Sequence, residues 1–231
     1  MKTLRANLEK LRKEERKRHH VLVNKIHKEY NISKKTLFYV KEYGPHTNVL
    51  RTIIKESIKI LLFASIISSF GGLILENIKL VFISIMPLLI LLPALNDMIG
   101  DYGTIISSRF SAMLHEGKVT GSWWRIKELK ELFIQLVIVS LFTSVLSVII
   151  ALAVSGFSGY EIRTETISKV LFITLLDVFF ILVVLFLVCI SAGLYFYKKR
   201  EDPNNFLIPI STSVADFVNM FMLAGLIMLF F

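Results

Sequence analysis

The chain has 231 residues, 54% of them hydrophobic, with a mean hydropathy of +0.64 and a formal net charge of +9. A soluble domain carries about 45–50% apolar residues even with glycine counted, so an ordinary soluble class is excluded, as are collagen-like, disordered and disulfide-built chains. The single cysteine, Cys189, rules out an internal disulfide.

Residues 1–48 hold 13 Lys and Arg against 5 Asp and Glu, so nearly all the excess charge lies in the first fifth of the chain. This segment opens with MKTLRANLEKLRKEERKRHHVLVNKIHKEY and reads as a basic, polar N-terminal helix, a unit apart from residues 49–231. It is too long and too charged for a secretory signal. Three roles compete for it. Contact with anionic membrane lipid gains about 1 kcal/mol per basic residue near the surface. Nucleic-acid binding lacks a known module or basic-aromatic interleaving, so no nucleic-acid partner is expected. The third role is a solvated helix that marks the cytoplasmic side.

A membrane span needs about 20 mostly apolar residues. Five stretches qualify: roughly 53–75, 78–95, 132–154, 170–197 and 206–231. Gly71-Gly72 and Gly156-Phe157-Ser158-Gly159 are expected to mark two short turns. With the N-terminus in the cytoplasm, the second-to-third connection carries Arg109, Lys118, Arg125, Lys127 and Lys130, and the fourth-to-fifth carries Lys198, Lys199 and Arg200. Both are then inside, as the positive-inside rule requires. Outside lie only Lys79 in one connection, and Arg163 and Lys169 against Glu161 and Glu165 in the other. Trp123 and Trp124 fall at the inner interface. The expected fold is an all-α integral membrane protein of five helices with its C-terminus outside.

Charge inside a bilayer costs several kcal/mol by most estimates, which singles out three places. Asp216 follows Thr212 and Ser213 by four and three residues and precedes Asn219 by three. At helical spacing these share one face. A carboxylate, two hydroxyls and an amide suit a hard cation such as Mg²⁺, Ca²⁺ or Mn²⁺. Interhelical hydrogen bonding explains the hydroxyls equally well but not the aspartate. The second place is LLPALNDMIGDYG, residues 91–103, where Asn96, Asp97 and Asp101 sit beside glycines and a proline. It is expected to end the second span, either as broken helix lining water or as solvated acids at the interface. Asp97 and Asp101 share a face if the helix continues. The third is Asp177 in the fourth span. It either reaches Lys169 or Arg163, or forms a second ion or coupling site.

His19, His20, His27, His46 and His115 lack the spacing of a zinc site, and Cys189 reads as a packer. No phosphate loop, HExxH or GxSxG occurs, so the chain is not expected to be an enzyme or an ATP-driven pump.

Two segments carry a resemblance. One is Pro93-Ala94-Leu95, Gly100-Asp101, Ser108-Arg109-Phe110-Ser111 and Gly117; the other is Asp202-Pro203-Asn204-Asn205, Pro209-Ile210, Ser213 and Asp216. In order and spacing they resemble the signatures of the membrane domain of MgtE-type magnesium transporters, and look closer to those of its eukaryotic solute-carrier relatives, over about residues 45–231. The resemblance implies a homodimer with a pore at its two-fold axis, lined by the second and fifth helices. It implies Mg²⁺ as the transported ion; oxygen ligands do not separate Mg²⁺ sharply from Mn²⁺ or Co²⁺, which stand as alternatives. Asp216 takes the place of the family's central acid. Asp101 stands where the family has asparagine, adding a carboxylate. Asp97 and Asp101 would form a second ring toward the cytoplasm, and Asp202 a mouth position. The family's cytosolic gating modules are not in this sequence.

The function expected is therefore divalent-cation transport across the cell membrane. Two other classes compete with it. One is a non-transporting scaffold or regulatory protein docked on lipid by its basic segment. The other is a membrane-embedded hydrolase with paired aspartates, which needs Asp177 and Asp216 on adjoining helices at equal depth.

Overall fold

The structure, a computed structural model, describes residues 3, 4, 6–8, 19–32, 37, 49–119, 126–198 and 202–231. Trp123, Trp124, Arg125, Lys199 and Arg200 lie outside the described residues, as does most of segment 1–48. The described residues are helical with no strand: α1 (His19–Tyr30), α2 (Val49–Ser84), α3 (Met86–His115), α4 (Lys127–Phe157), α5 (Thr164–Lys198) and α6 (Pro203–Phe230). The last five are each long and apolar enough to cross a membrane.

Helix α1 is not polar all round. Val23 and Ile26 are buried with Leu37 in a small apolar cluster that also gathers Leu4, Leu8, Tyr30 and Ile32. The helix stops at Asn31, whose φ of 51° is the left-handed conformation that commonly ends helices. The His27 ring nitrogen lies 2.7 Å from the Ile32 carbonyl and closes the same turn.

The expected turn at Gly71-Gly72 is not there. Helix α2 runs through both glycines, and the chain turns at Ile85 instead. A glycine costs a helix interior about 1 kcal/mol, but opening the backbone in hydrocarbon strands polar groups at several kcal/mol each. Gly71 serves packing: a Cβ there would stand 3.1 Å from Met220 Cγ of α6. The actual break has proline chemistry. Pro87 opens α3, lacks an N–H at a position that needs none, and restricts the residue before it. The stretch 78–95 is thus divided between the end of α2 and the start of α3. Lys79 is a helical residue of α2, paired with Glu76, rather than part of a loop.

Helix α3 also continues where a break was expected. It passes Pro93, Gly100 and Gly103 without interruption and extends to His115. Its last twenty residues carry Asn96, Asp97, Asp101 and Arg109, which is why hydropathy alone ended it twenty residues early. Helices α4 and α5 are joined by a short turn in which Tyr160 N–H donates to the Ser155 carbonyl (3.1 Å) and Gly159 takes φ 83°. The second expected turn therefore lies where the sequence puts it. Asp202 accepts from the Asn204 amide (3.1 Å) and Pro203 follows at the first position, so α6 starts three residues before its apolar run.

Helix α5 is the centre of the bundle, packed on α3, α4 and α6. Its buried residues recur every three or four positions from Val170 to Gly193. Helix α2 instead leans on α6 and touches α3 little. Small residues set the closest approaches. A Cβ on Gly193 would meet the Phe110 ring at 2.7 Å, and one on Gly103 would meet Ser211 Cβ at 3.1 Å.

Candidate ion site in the membrane helices

Helix α6 lies between α2 and α3, and its polar stripe divides between them. The Ser68 hydroxyl of α2 donates to Asp216 Oδ2 at 3.0 Å. Asp216 is half-buried. One turn further along α6, the Asn219 amide donates to Asn96 Oδ1 of α3. Asn219 is fully buried, and its Oδ1 has no hydrogen-bond partner among the described residues. Thr212 and Ser213 donate to their own helix, to the carbonyls of Ile208 and Ile210 at 3.0 Å each. Their oxygen lone pairs stay available. Thr212 is half-buried and Ser213 is buried.

Asp97 and Asp101 are both exposed on α3. Asn96 fixes the side of α3 that faces α6. Helical arithmetic puts Asp97, Asp101 and Ile105 in one row of four-residue steps beside that side. Tyr102, which meets Thr143 of α4 at 2.5 Å, points the other way. The acid row thus lies on the flank away from α4 and α5. Among the described residues, no group of three or more His, Cys, Asp or Glu side chains converges to hold a metal ion.

Asp202 is not an open mouth position. It is buried, caps α6, and meets His115 Nε2 of α3 at 3.3 Å. It ties the end of α3 to the start of α6. Asp202→Ala removes a helix cap and the buried contact with His115, which together cost about 2–3 kcal/mol. The thermal midpoint in detergent is expected to fall, and Asp202→Asn, which keeps the cap, is expected to recover part of the loss.

Asp177 does not pair with Lys169, which is taken by Glu165 at 2.7 Å. Both Asp177 oxygens are buried with no hydrogen-bond partner among the described residues. Phe172 meets Phe230 with ring centroids 5.4 Å apart, and Phe196 meets Phe206 at 4.4 Å, so α5 and α6 run antiparallel. This register sets Asp216 opposite Phe186, nine residues from Asp177, or about 13 Å along the axis. The two aspartates are not at equal depth, so they do not form an acid–base dyad.

Sequence reasoning missed Ser68 and undervalued Asn96. Ser65, Ser68 and Ser69 interrupt an otherwise apolar span, and that interruption was the available signal. It also missed the buried cluster at the crossing of α3, α5 and α6. There the Ser107 hydroxyl donates to Ser211 Oγ at 3.0 Å and lies 3.4 Å from Cys189 Sγ.

A family model described as MgtE, divalent cation transporter, matches residues 92–226, more than half of the chain. No curated protein and no solved structure matches it.

Proposed function

The chain belongs to the MgtE family of divalent cation transporters, and from that premise we propose a homodimeric Mg²⁺ pathway lined by α3 and α6 of both copies. The family is one of transporters and not of enzymes, and with five apolar helices the chain is a multi-pass integral membrane protein. In this reading Asp216, Thr212, Ser213 and Asn219 form the central site; Asn96 of α3 meets Asn219, so Asp97 and Asp101 are a second carboxylate row close to the depth of that site and not a ring on its cytoplasmic side. Residues 1–48 form a basic cytoplasmic segment near anionic headgroups, residues 49–231 the transport unit, and the cell membrane is its location.

The observation that carries the reading is the exposed row of Asp97 and Asp101 in the middle of a membrane helix. Lipid does not tolerate such a row, so it must face water or a partner. A second copy related by a two-fold axis covers it with the same row. Two facing acids repel unless a cation lies between them, so the ion completes the site. A hydrated Mg²⁺ keeps several of its own waters and needs few protein ligands, in keeping with one or two carboxylates per copy.

The test is divalent flux into liposomes holding the full chain, Mg²⁺ against Ca²⁺ and Mn²⁺, with cross-linking of an Ile105→Cys variant. Ile105 is exposed in the acid row, and the native Cys189 is buried out of reach. Mg²⁺ flux and a disulfide-linked dimer are expected. A folded protein with neither returns the scaffold reading. Asp101→Asn, which restores the family's amide, is expected to raise the half-saturating Mg²⁺ concentration several-fold with the maximal rate kept or increased.

A further inference from the structure

We infer that Asp177 is a proton-binding site in the outer half of the bundle, separate from the Asp216 stripe, and that its proton is exchanged through a cleft at the outer end and governs the transport rate. The terms outer and rate rest on the orientation and the transport reading proposed above; the proton site itself does not.

Asp177 and Ser144 are both 0% exposed, and neither carboxylate oxygen nor the Ser144 hydroxyl has a hydrogen-bond partner among the described residues. The two lie at one depth. Phe133 of α4 meets Phe186 of α5 with ring centroids 5.0 Å apart, and the turn at Gly159 closes the same antiparallel pair. Counting from there sets Asp177 opposite Phe142, with Ser140 and Ser144 the buried α4 residues that bracket it.

Nothing that faces this depth compensates a charge. From α4 come Ser140, whose hydroxyl is given to the Val137 carbonyl (2.9 Å), and Ser144. From α3, placed by the contact of Ser107 with Cys189, come Leu91 and Leu95; from α6 come Leu223, Ala224 and Ile227. None is titratable. On α5 itself the nearest polar neighbour is Thr174, whose hydroxyl is given to the Val170 carbonyl (2.8 Å). The nearest cation on α5 is Lys169, two turns away and paired with Glu165. An isolated carboxylate in such surroundings is prohibitively costly, and the group neutralises instead. In this conformation Asp177 therefore carries its proton.

Water reaches the outer end of the same helix, and Val170 and Ile173, both buried, separate it from Asp177 in this conformation. A cleft of about 410 Å³ at the outer end is lined by Ser84, Tyr160, Glu161, Arg163, Thr166 and Lys169. Thr166, Thr174 and Asp177 fall on one face of α5, the last about 16 Å from the first. Deprotonation moves the proton to water in that cleft and leaves a charge that the packed α3–α4–α5 interior does not hold. The outer halves of these helices must then part to admit water. Raising the outer pH thus favours opening.

Two measurements on the full chain in liposomes test this. Infrared difference spectra across a pH step are expected to show a protonated-carboxyl band that disappears in Asp177→Asn, an isosteric variant that stays neutral. The band needs no transport, so it decides the site even if no ion moves. In flux assays the wild type is expected to speed up several-fold as outer pH rises by two units, while Asp177→Asn stays at the low-pH rate. A spectrum unchanged by the substitution overturns the proton site. An unchanged pH profile in a variant that has lost the band overturns its control of the rate.

Discussion

Asp216→Ala is expected to reduce divalent-cation uptake to the background of empty liposomes while the dimer still forms. The side chain is half-buried and accepts one hydrogen bond, from Ser68 at 3.0 Å. Truncating it removes a charge that its surroundings do little to satisfy, so the cost to folding is small, about 1 kcal/mol or less. The cost to ion binding is large, because each copy loses the carboxylate of the α6 stripe, and the hydroxyls and amide left on that stripe are neutral. Asp216→Asn separates shape from charge: it keeps the bond to Ser68 and is expected to be nearly as inactive. Uptake assays beside size-exclusion profiles check both variants. Wild-type uptake by a well-assembled Asp216→Ala protein would reject the central site.

The second large effect is on stability. A Cβ at residue 193 would stand 2.7 and 2.8 Å from two atoms of the Phe110 ring and 3.2 Å from Leu207 Cδ1. Phe110 and Leu207 are both 0% exposed, so neither has room to retreat. Gly193→Ala is expected to destabilise the bundle by about 1–3 kcal/mol, the usual range for overpacking. Adding Phe110→Leu removes the obstructing ring and is expected to return much of the loss. The two changes are then strongly non-additive, as residues in contact are. Thermal unfolding in detergent of the two single variants and the double variant reads this directly.

The number and class of the helices were legible because each long apolar run has one stable form in a bilayer. The boundaries were less so. Residues 53–95 are apolar almost throughout, and glycine looked like the natural break. Glycine stays helical in hydrocarbon when a neighbour packs against it, as Met220 does at Gly71. Proline at residue 87 was the real punctuation. The site was legible in its acids and not in its partners. Asp216, Asp97 and Asp101 stand out against an apolar background, and the latter two do share a helix row. Ser68 lies two turns or more from the acids of its own helix, Glu56 and Glu76, and no local pattern reveals that it meets Asp216. Asp202 reads as a ligand in sequence because a carboxylate before a proline fits a pore mouth as well as a helix cap. Only its burial against His115 distinguishes the two.

Helix α2 finds its main support on α6, and the bond from Ser68 to Asp216 joins residues 148 positions apart. On a ribosome the first span therefore enters the bilayer long before its partner has been made, since synthesis adds about 5–20 residues per second. Until then Ser68 faces lipid or a chaperone. Helices α3, α4 and α5 have already emerged and pack on one another. Assembly ends, rather than begins, with the N-terminal span closing onto the C-terminal one. A chain cut short before residue 203 thus loses more than the acid at 216: its first helix has no surface left to dock on, and membrane quality control would meet it as an orphan.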